Sequence, residues 1–336
     1  MFRPDMFPRG GFSSSVSIVF MVVLVCYIAP AAIIITIAVG IVTLIVKAIK
    51  EGIEAEKEEK ARTEYEVIDG KGYFPYGVTR IEDCAFDGCS SLTSITIPST
   101  VTEIGKRALL RCSSLTSINV VSNNPVYDSR EYCNAIIHTE SNTLIRGCRN
   151  STIPSSVTEI GMNAFYRCSR LTNISIPPSV TEIGEGAFYG CKNLTSISIP
   201  PSVTEIGEDA FSGCKSLTSI SIPPSVTKIG KHAFYDCSSI TSIIIPALVT
   251  EIGNCTFYDC FSLTSISIPP SVTKIGKGAF GGCSSLNSIS IPPSITDIGA
   301  WTFKDCSKLT EVRIPNDCDV HKSAFYNCPK VKIIRY

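Results

Sequence analysis

A unit of 23 residues recurs through most of this 336-residue chain, and its clearest copies differ at few positions. One copy reads Ile176-Pro-Pro-Ser-Val-Thr-Glu-Ile-Gly-Glu-Gly-Ala-Phe-Tyr-Gly-Cys-Lys-Asn-Leu-Thr-Ser-Ile-Ser198, and the next starts at Ile199. A unit this short cannot bury its apolar face alone, so tandem copies must stack into a solenoid whose coils touch only their neighbours. Function in such a chain spreads over a surface, and short motifs inside the array lose much of their meaning.

Within one coil the alternation of Leu194, Ile197 and Ile199 with Ser196, Ser198 and Pro200 predicts a short strand with one buried face. Pro200-Pro201 cannot donate to a ladder and end it. Gly184 closes the Val-Thr-Glu-Ile stretch in a turn, and Ala187, Phe188 and Cys191 have the spacing of a 3₁₀ or helical turn with one inward face. Stacking aligns each position into a column. The Phe column runs Phe86, Leu109, Phe165, Phe188, Phe211, Phe234, Phe257, Phe280, Phe303 and Phe325. Ten of the 16 cysteines, from Cys89 to Cys328, share another, where they are expected reduced, buried and inert.

One unit departs from the pattern. Residues 121–153 replace a standard coil by 33 residues, in which Asn134-Ala-Ile-Ile-His138 and Asn142-Thr-Leu-Ile-Arg146 flank Thr139-Glu-Ser and predict a β-hairpin. A turn centred on Glu140-Ser141 places Cys133 opposite Cys148, the best candidates in the chain for a disulfide.

The string Leu-x-x-Ile-x-Ile-Pro-x-x-Val-x-x-Ile-Gly-x-x-Ala-Phe-x-x-Cys resembles the BspA-like leucine-rich repeat, a class typical of microbial surface proteins. Asn124-Pro-Val-Tyr-Asp-Ser129 with the following strands looks like the longer variant interspersed in that family. The resemblance covers residues 74–336. It implies a right-handed β-solenoid, a parallel sheet on one face and short turns on the other, and a recognition or adhesion role.

The N-terminal region has a different character. Residues 16–46 carry no charge, enough to cross a bilayer as an N-terminal transmembrane helix, since about 20 apolar residues suffice. The rival is a cleaved signal peptide, with Arg3 and Arg9 as its basic start and Ala29-Pro30-Ala31 near its cleavage site; but the apolar run continues to Val46, which a signal peptide does not need. Residues 1–15 read as a tail and 47–73 as a charged helical stalk leading to the solenoid. The sidedness signals conflict. Lys47, Lys50, Lys57, Lys60 and Arg62 put the repeats in the cytoplasm by the positive-inside rule, as do free thiols, whereas the family resemblance puts them at the cell surface. The expectation taken forward is single-pass membrane attachment with the repeats displayed outside.

With 30 basic and 30 acidic residues, scattered and matched, the chain gives no footprint for nucleic acid. Gly276-Lys-Gly-Ala-Phe-Gly281 matches the dinucleotide fingerprint, but that loop must open a full helix, and here it runs into the Ala-Phe turn; no cofactor is expected. The three histidines fall in distant units, so no catalytic triad is suggested. A remote alternative is an enzyme site in the insert around Tyr127, Asp128, Glu131 and His138. The favoured candidate site is the exposed strand face, a strip of Ser196, Ser198, Ser219, Ser221, Ser265, Ser267, Ser288 and Ser290, broken by Ile244 and ended by Glu311 and Arg313. Such a strip suits a protein or glycan ligand. A second strip, Tyr166, Tyr189, Tyr235, Tyr258 and Tyr326, each just after a buried Phe, reads as packing, and an edge of alternating Glu and Lys as a solvated face.

Overall fold

The computed structural model describes residues 31–336. Two compact units divide at Thr63/Glu64. In the first, helix α1 (Ala31–Ala61) runs without a break from the apolar residues through Lys47 into the charged segment. Lys60 reaches back to Glu56 at 2.7 Å, the i, i+4 pairing expected of an exposed helix. Among the described residues no helix is long and apolar enough to cross a membrane. The transmembrane helix expected over 16–46 therefore finds no support in α1. Its first half, residues 16–30, lies outside the described residues, as does the expected tail.

The second unit, Glu64–Tyr336, is a β-solenoid of about 12 turns. It begins before the first full repeat. Strands β1 (Glu66–Ile68) and β2 (Lys71–Tyr73) form an antiparallel hairpin, and β2 pairs in parallel with the strand Ser94–Ile97 of the next turn. Tyr65 closes this end of the core, its ring edge-on to Phe86 at 5.6 Å and its hydroxyl donating to the Arg80 carbonyl at 3.0 Å. Residues 64–73, assigned by sequence to the stalk, thus fold with the solenoid.

Each coil hydrogen-bonds to its neighbours on three sides. The Ser-Ile-Ser strands pair in parallel and in register, Ser196 with Ser219 and Ser198 with Ser221. A second parallel ladder joins the two-residue Glu-Ile strands, Glu182 with Glu205 and Ile183 with Ile206. Sequence reasoning missed this ladder, because two residues carry no alternation to read. On the third side the Phe188 N–H donates to the Ala210 carbonyl at 2.7 Å and Gly190 to Ser212 at 2.7 Å.

That third side is not built of the expected 3₁₀ or helical turns. Bonds from Ala187 to Gly184, Tyr189 to Gly186 and Cys191 to Phe188 make a series of separate tight turns. Two left-handed positions per coil break the run. Gly186 and Gly190 hold them in one copy, while Asp209, His232, Cys255 and even Trp301 adopt the same φ of +51 to +61° in others. A bulky side chain seldom takes this conformation, and the neighbouring coil's hydrogen bonds hold it there.

Inside, the Phe rings from Phe165 to Phe325 form one continuous stack, with centroids 5.2–5.6 Å apart and planes within 9°. Side-chain hydroxyls tie coil to coil along the corners. Ser202 Oγ donates to the Val180 carbonyl at 2.6 Å, and Thr195 Oγ1 to the Thr172 carbonyl at 3.2 Å. The same bonds recur at Ser225, Ser271 and Thr264. These residues recur in the repeat because each satisfies a backbone oxygen of the coil before it.

The insert forms the expected hairpin, Ala135–His138 with Thr143–Gly147, but the disulfide does not form. A bulge between Ile136 and Ile137 shifts the register by one residue, so that Ala135 faces Gly147. Cys148 consequently meets the Asn134 carbonyl, 3.5 Å from its sulfur, instead of Cys133. Both thiols are free and buried.

Candidate functional site

The sheet face is assembled as the strand pattern suggests. Ser196, Ser219, Ser265, Ser288 and Glu311 fall in one column, and Ser198, Ser221, Ile244, Ser267, Ser290 and Arg313 in the other, by the parallel registers of successive strands. The serines and Arg313 are exposed, and Glu311 is half-buried. Ile244 is 77% exposed, standing between serines with no apolar cover. At the far end Arg313 Nε binds Glu311 Oε1 at 2.7 Å, so the two breaks of charge neutralise each other. The strip is hydroxylated and uncharged along its middle, with Ile244 as the apolar break there and Ile334, paired with Arg313, as a second exposed isoleucine at the C-terminal end.

Two grooves lie off this face. The first, about 440 Å³, follows the turn side past Arg167, Tyr189, Lys192, Ser212, Lys215 and Tyr235. Here the tyrosine column forms two stacked pairs, Tyr166 on Tyr189 at 4.8 Å and Tyr235 on Tyr258 at 5.5 Å. The second, about 640 Å³, follows the Glu-Ile ladder, where Lys228 bonds Glu205 at 3.1 Å; beyond it Lys274 bonds Glu251 at 2.8 Å. The alternating charges are cross-coil ion pairs, each exposed and of small energetic weight. Beside this ladder Glu208, Asp209 and His232 place one donor atom each within 4.8 Å of one another, an arrangement that could hold a divalent cation. Burial raises the Asp209 carboxyl above its ordinary range, opposed by His232 and by a hydrogen bond from Ser212. Sequence spacing gave no hint of this trio, since its members come together only because Asp209 and His232 share a column.

Residues 71–144, 142–263 and 250–336 match the BspA type leucine rich repeat region, in six copies. The chain belongs to the BspA-type leucine-rich repeat family. Among solved structures it is similar to the Treponema pallidum leucine rich repeat protein, at 31% identity over 52% of this chain and 82% of that one, with a TM-score of 0.48. A leucine-rich repeat protein from Eubacterium ventriosum matches at 25% identity over 80% of this chain and 66% of that one, TM-score 0.56. A leucine rich cell surface protein from Faecalibacterium prausnitzii matches at 27% identity over 81% of this chain and 86% of that one, TM-score 0.37. No curated protein matches.

In this BspA-type array the cysteine column does more than fill space. From Cys191 onward each thiol donates to a Phe carbonyl of an earlier coil, as Cys191 to Phe165 at 3.2 Å, Cys214 to Phe188 at 3.3 Å, Cys237 to Phe211 at 3.1 Å and Cys283 to Phe257 at 3.2 Å, whereas Cys168 meets the Gly147 carbonyl at 3.7 Å. Burial pushes the Cys214 and Cys260 thiols up to about 12, far from the thiolate that reacts. Iodoacetamide at pH 8 should therefore label exposed Cys84 in the folded chain while Cys191, Cys214, Cys237, Cys260 and Cys283 stay unlabelled until denaturant is added. Peptide mass spectrometry reads the result, and column thiols labelled in the native state would contradict it. The same experiment without reductant should recover Cys133 and Cys148 as free thiols.

The insert gathers Tyr127, Asp128 and His138, but each is engaged in holding the insert together. Tyr127 is buried with its ring edge-on to His138 at 5.8 Å. Burial works against the Asp128 carboxylate, yet hydrogen bonds from Arg130 at 2.8 and 2.6 Å outweigh it and hold its pKa below the usual range. His138 Nδ1 lies 2.9 Å from Ser141 Oγ, whose hydroxyl in turn reaches Thr143 at 2.8 Å. Glu131 is exposed.

Proposed function

We propose that this chain is a non-catalytic recognition protein that binds a protein partner through the sheet face of its repeats. The observation that carries the reading is Ile244, an exposed apolar side chain centred on an otherwise hydroxylated strip. A large apolar residue ringed by near-neutral polar contacts is the arrangement of an interface anchor. The proposal extends to residues 16–46, taken as the segment that holds the chain at a membrane, with the repeats displayed at the cell surface.

Restoring the repeat with Ile244→Ser should leave thermal stability unchanged and weaken binding of the full chain to intact cells at least tenfold. Removing whole coils, residues 176–267, should weaken it further; undiminished binding by that deletion sinks the reading. A scaffold facing the cytoplasm is the second possibility, favoured by the fifteen free thiols among the described residues. Protease treatment of intact cells separates the two. Repeats that survive until the membrane is permeabilised rule out surface display.

A further inference from the structure

The tyrosine column is interrupted once inside its stacked region, at Ser212. Tyr166 stacks on Tyr189 and Tyr235 on Tyr258, each with planes within 7°. Between the two pairs the column holds Ser212. In the adjoining Phe column one coil step measures 5.3 Å from Phe188 to Phe211 and 5.6 Å from Phe211 to Phe234. Two such steps separate Tyr189 from Tyr235, which is the spacing that admits one more ring between them. Tyr189, Ser212 and Tyr235 all line the 440 Å³ groove, and Ser212 is 3% exposed. Nothing bulky rises from the floor, because the left-handed positions here are Gly190 and Gly213.

The rim is cationic. Lys192 and Lys215 stand one coil apart, and Arg167 lies over the Tyr166 ring at 5.7 Å. Arg111 closes one end of the groove, bonded to Asp87 at 2.7 Å. The carboxylate on the wall, Asp236, is held by Lys215 at 2.8 Å. Anionic groups are therefore favoured along the groove, and flat faces in its middle.

The backbone excludes a peptide laid down as an added strand. Ser212 N–H donates to Asp209 at 3.0 Å and its carbonyl accepts from Gly190, while Gly213 N–H donates to Tyr235 at 2.7 Å. With these groups used within and between coils, no ladder edge remains for β-augmentation. Recognition here must come from ring faces, hydroxyls and charge, which is the chemistry that reads sugars.

We propose that this groove binds an acidic glycan, one sugar ring of which stacks between Tyr189 and Tyr235 in the place of the side chain missing at Ser212, with its anionic groups on Lys192, Lys215 and Arg167. The site lies on the turn side, away from the strand face carrying Ile244, and is independent of the partner proposed for that face.

The test fills the slot. Ser212→Tyr completes the column with the residue that neighbouring coils already carry there, and its Tm reports whether the fold accepts it. Calorimetry with the full chain and a heparin-derived hexasaccharide should show binding by the wild type, a loss of at least tenfold in Ser212→Tyr with an unchanged or raised Tm, and a comparable loss in Lys192→Gln. Ile244→Ser should bind the hexasaccharide as the wild type does, so failure on the strand face and failure in the groove are told apart. Unchanged affinity in Ser212→Tyr overturns the proposal. So does equal affinity for neutral cellohexaose, or binding of a tyrosine-sulfated peptide with the hexasaccharide silent.

Discussion

Phe234→Ala is expected to unlock the middle of the solenoid. Phe234 is fully buried and lies in the continuous stack, 5.6 Å from Phe211 on one side and 5.6 Å from Phe257 on the other. Truncating a buried Phe costs about 3–5 kcal/mol. Each lost aromatic neighbour adds about 0.5–1.5 kcal/mol beyond area burial, so the upper end of that range applies. For a body this size the fall in Tm is roughly 10 °C or more. The manner of unfolding matters as much as its midpoint. Coils are coupled only to their neighbours, so weakening one interface separates the array into two blocks. Hydrogen exchange should show residues 211–257 losing protection ahead of either flank. Phe234→Leu keeps most of the volume and should cost less than half as much. A Tm within 2 °C of the wild type for Phe234→Ala would show that the stack is not what holds the coils together.

Gly230→Ala is the second large effect, and its origin is close backbone approach, with φ playing no part. A methyl at Gly230 would sit 2.5 Å from the Gly207 carbonyl carbon and closer still to the Glu208 nitrogen, both backbone atoms of the preceding coil. Neither can move aside without displacing the Glu-Ile ladder, where Ile206 pairs with Ile229. Overpacking of this kind costs about 1–3 kcal/mol in ordinary cores and more where only backbone can yield. The expected loss is about 3 kcal/mol or more, read as a drop in the denaturation midpoint. Gly299 occupies the same column, yet a methyl there meets nothing nearer than Lys277 Cγ at 3.7 Å. Gly299→Ala should therefore be neutral to within about 0.5 kcal/mol. Equal destabilisation by both substitutions would refute the steric account.

Much of the fold was legible in the repeat. The buried Leu194, Ile197 and Ile199, the Phe column and the outward serines all follow from period and stacking, and the structure places them so. What escaped was whatever depends on distance between chain segments. The Glu-Ile ladder is too short to show a period. The bulge at Ile136/Ile137 changed the partner of Cys148, which no spacing rule could foresee. The cysteine column looked like apolar filler because nothing in the sequence says that a Phe carbonyl lies about 3 Å from sulfurs such as those of Cys214 and Cys237.

The recurrence of 23 residues by itself determined that the chain stacks into coils, which side chains turn inward, and that the strand face is hydroxylated with Ile244 breaking the serine column. A period reports which positions are equivalent, and equivalence is enough to build columns. Only the tertiary structure decided where equivalence fails. Gly230 and Gly299 share a column but not a clearance, and Ser212 interrupts a column whose neighbours stack in pairs on either side. The physical reason is that coil-to-coil spacing is set by backbone hydrogen bonds on all three sides, and a few tenths of an ångström there separate a tolerated methyl from a clash.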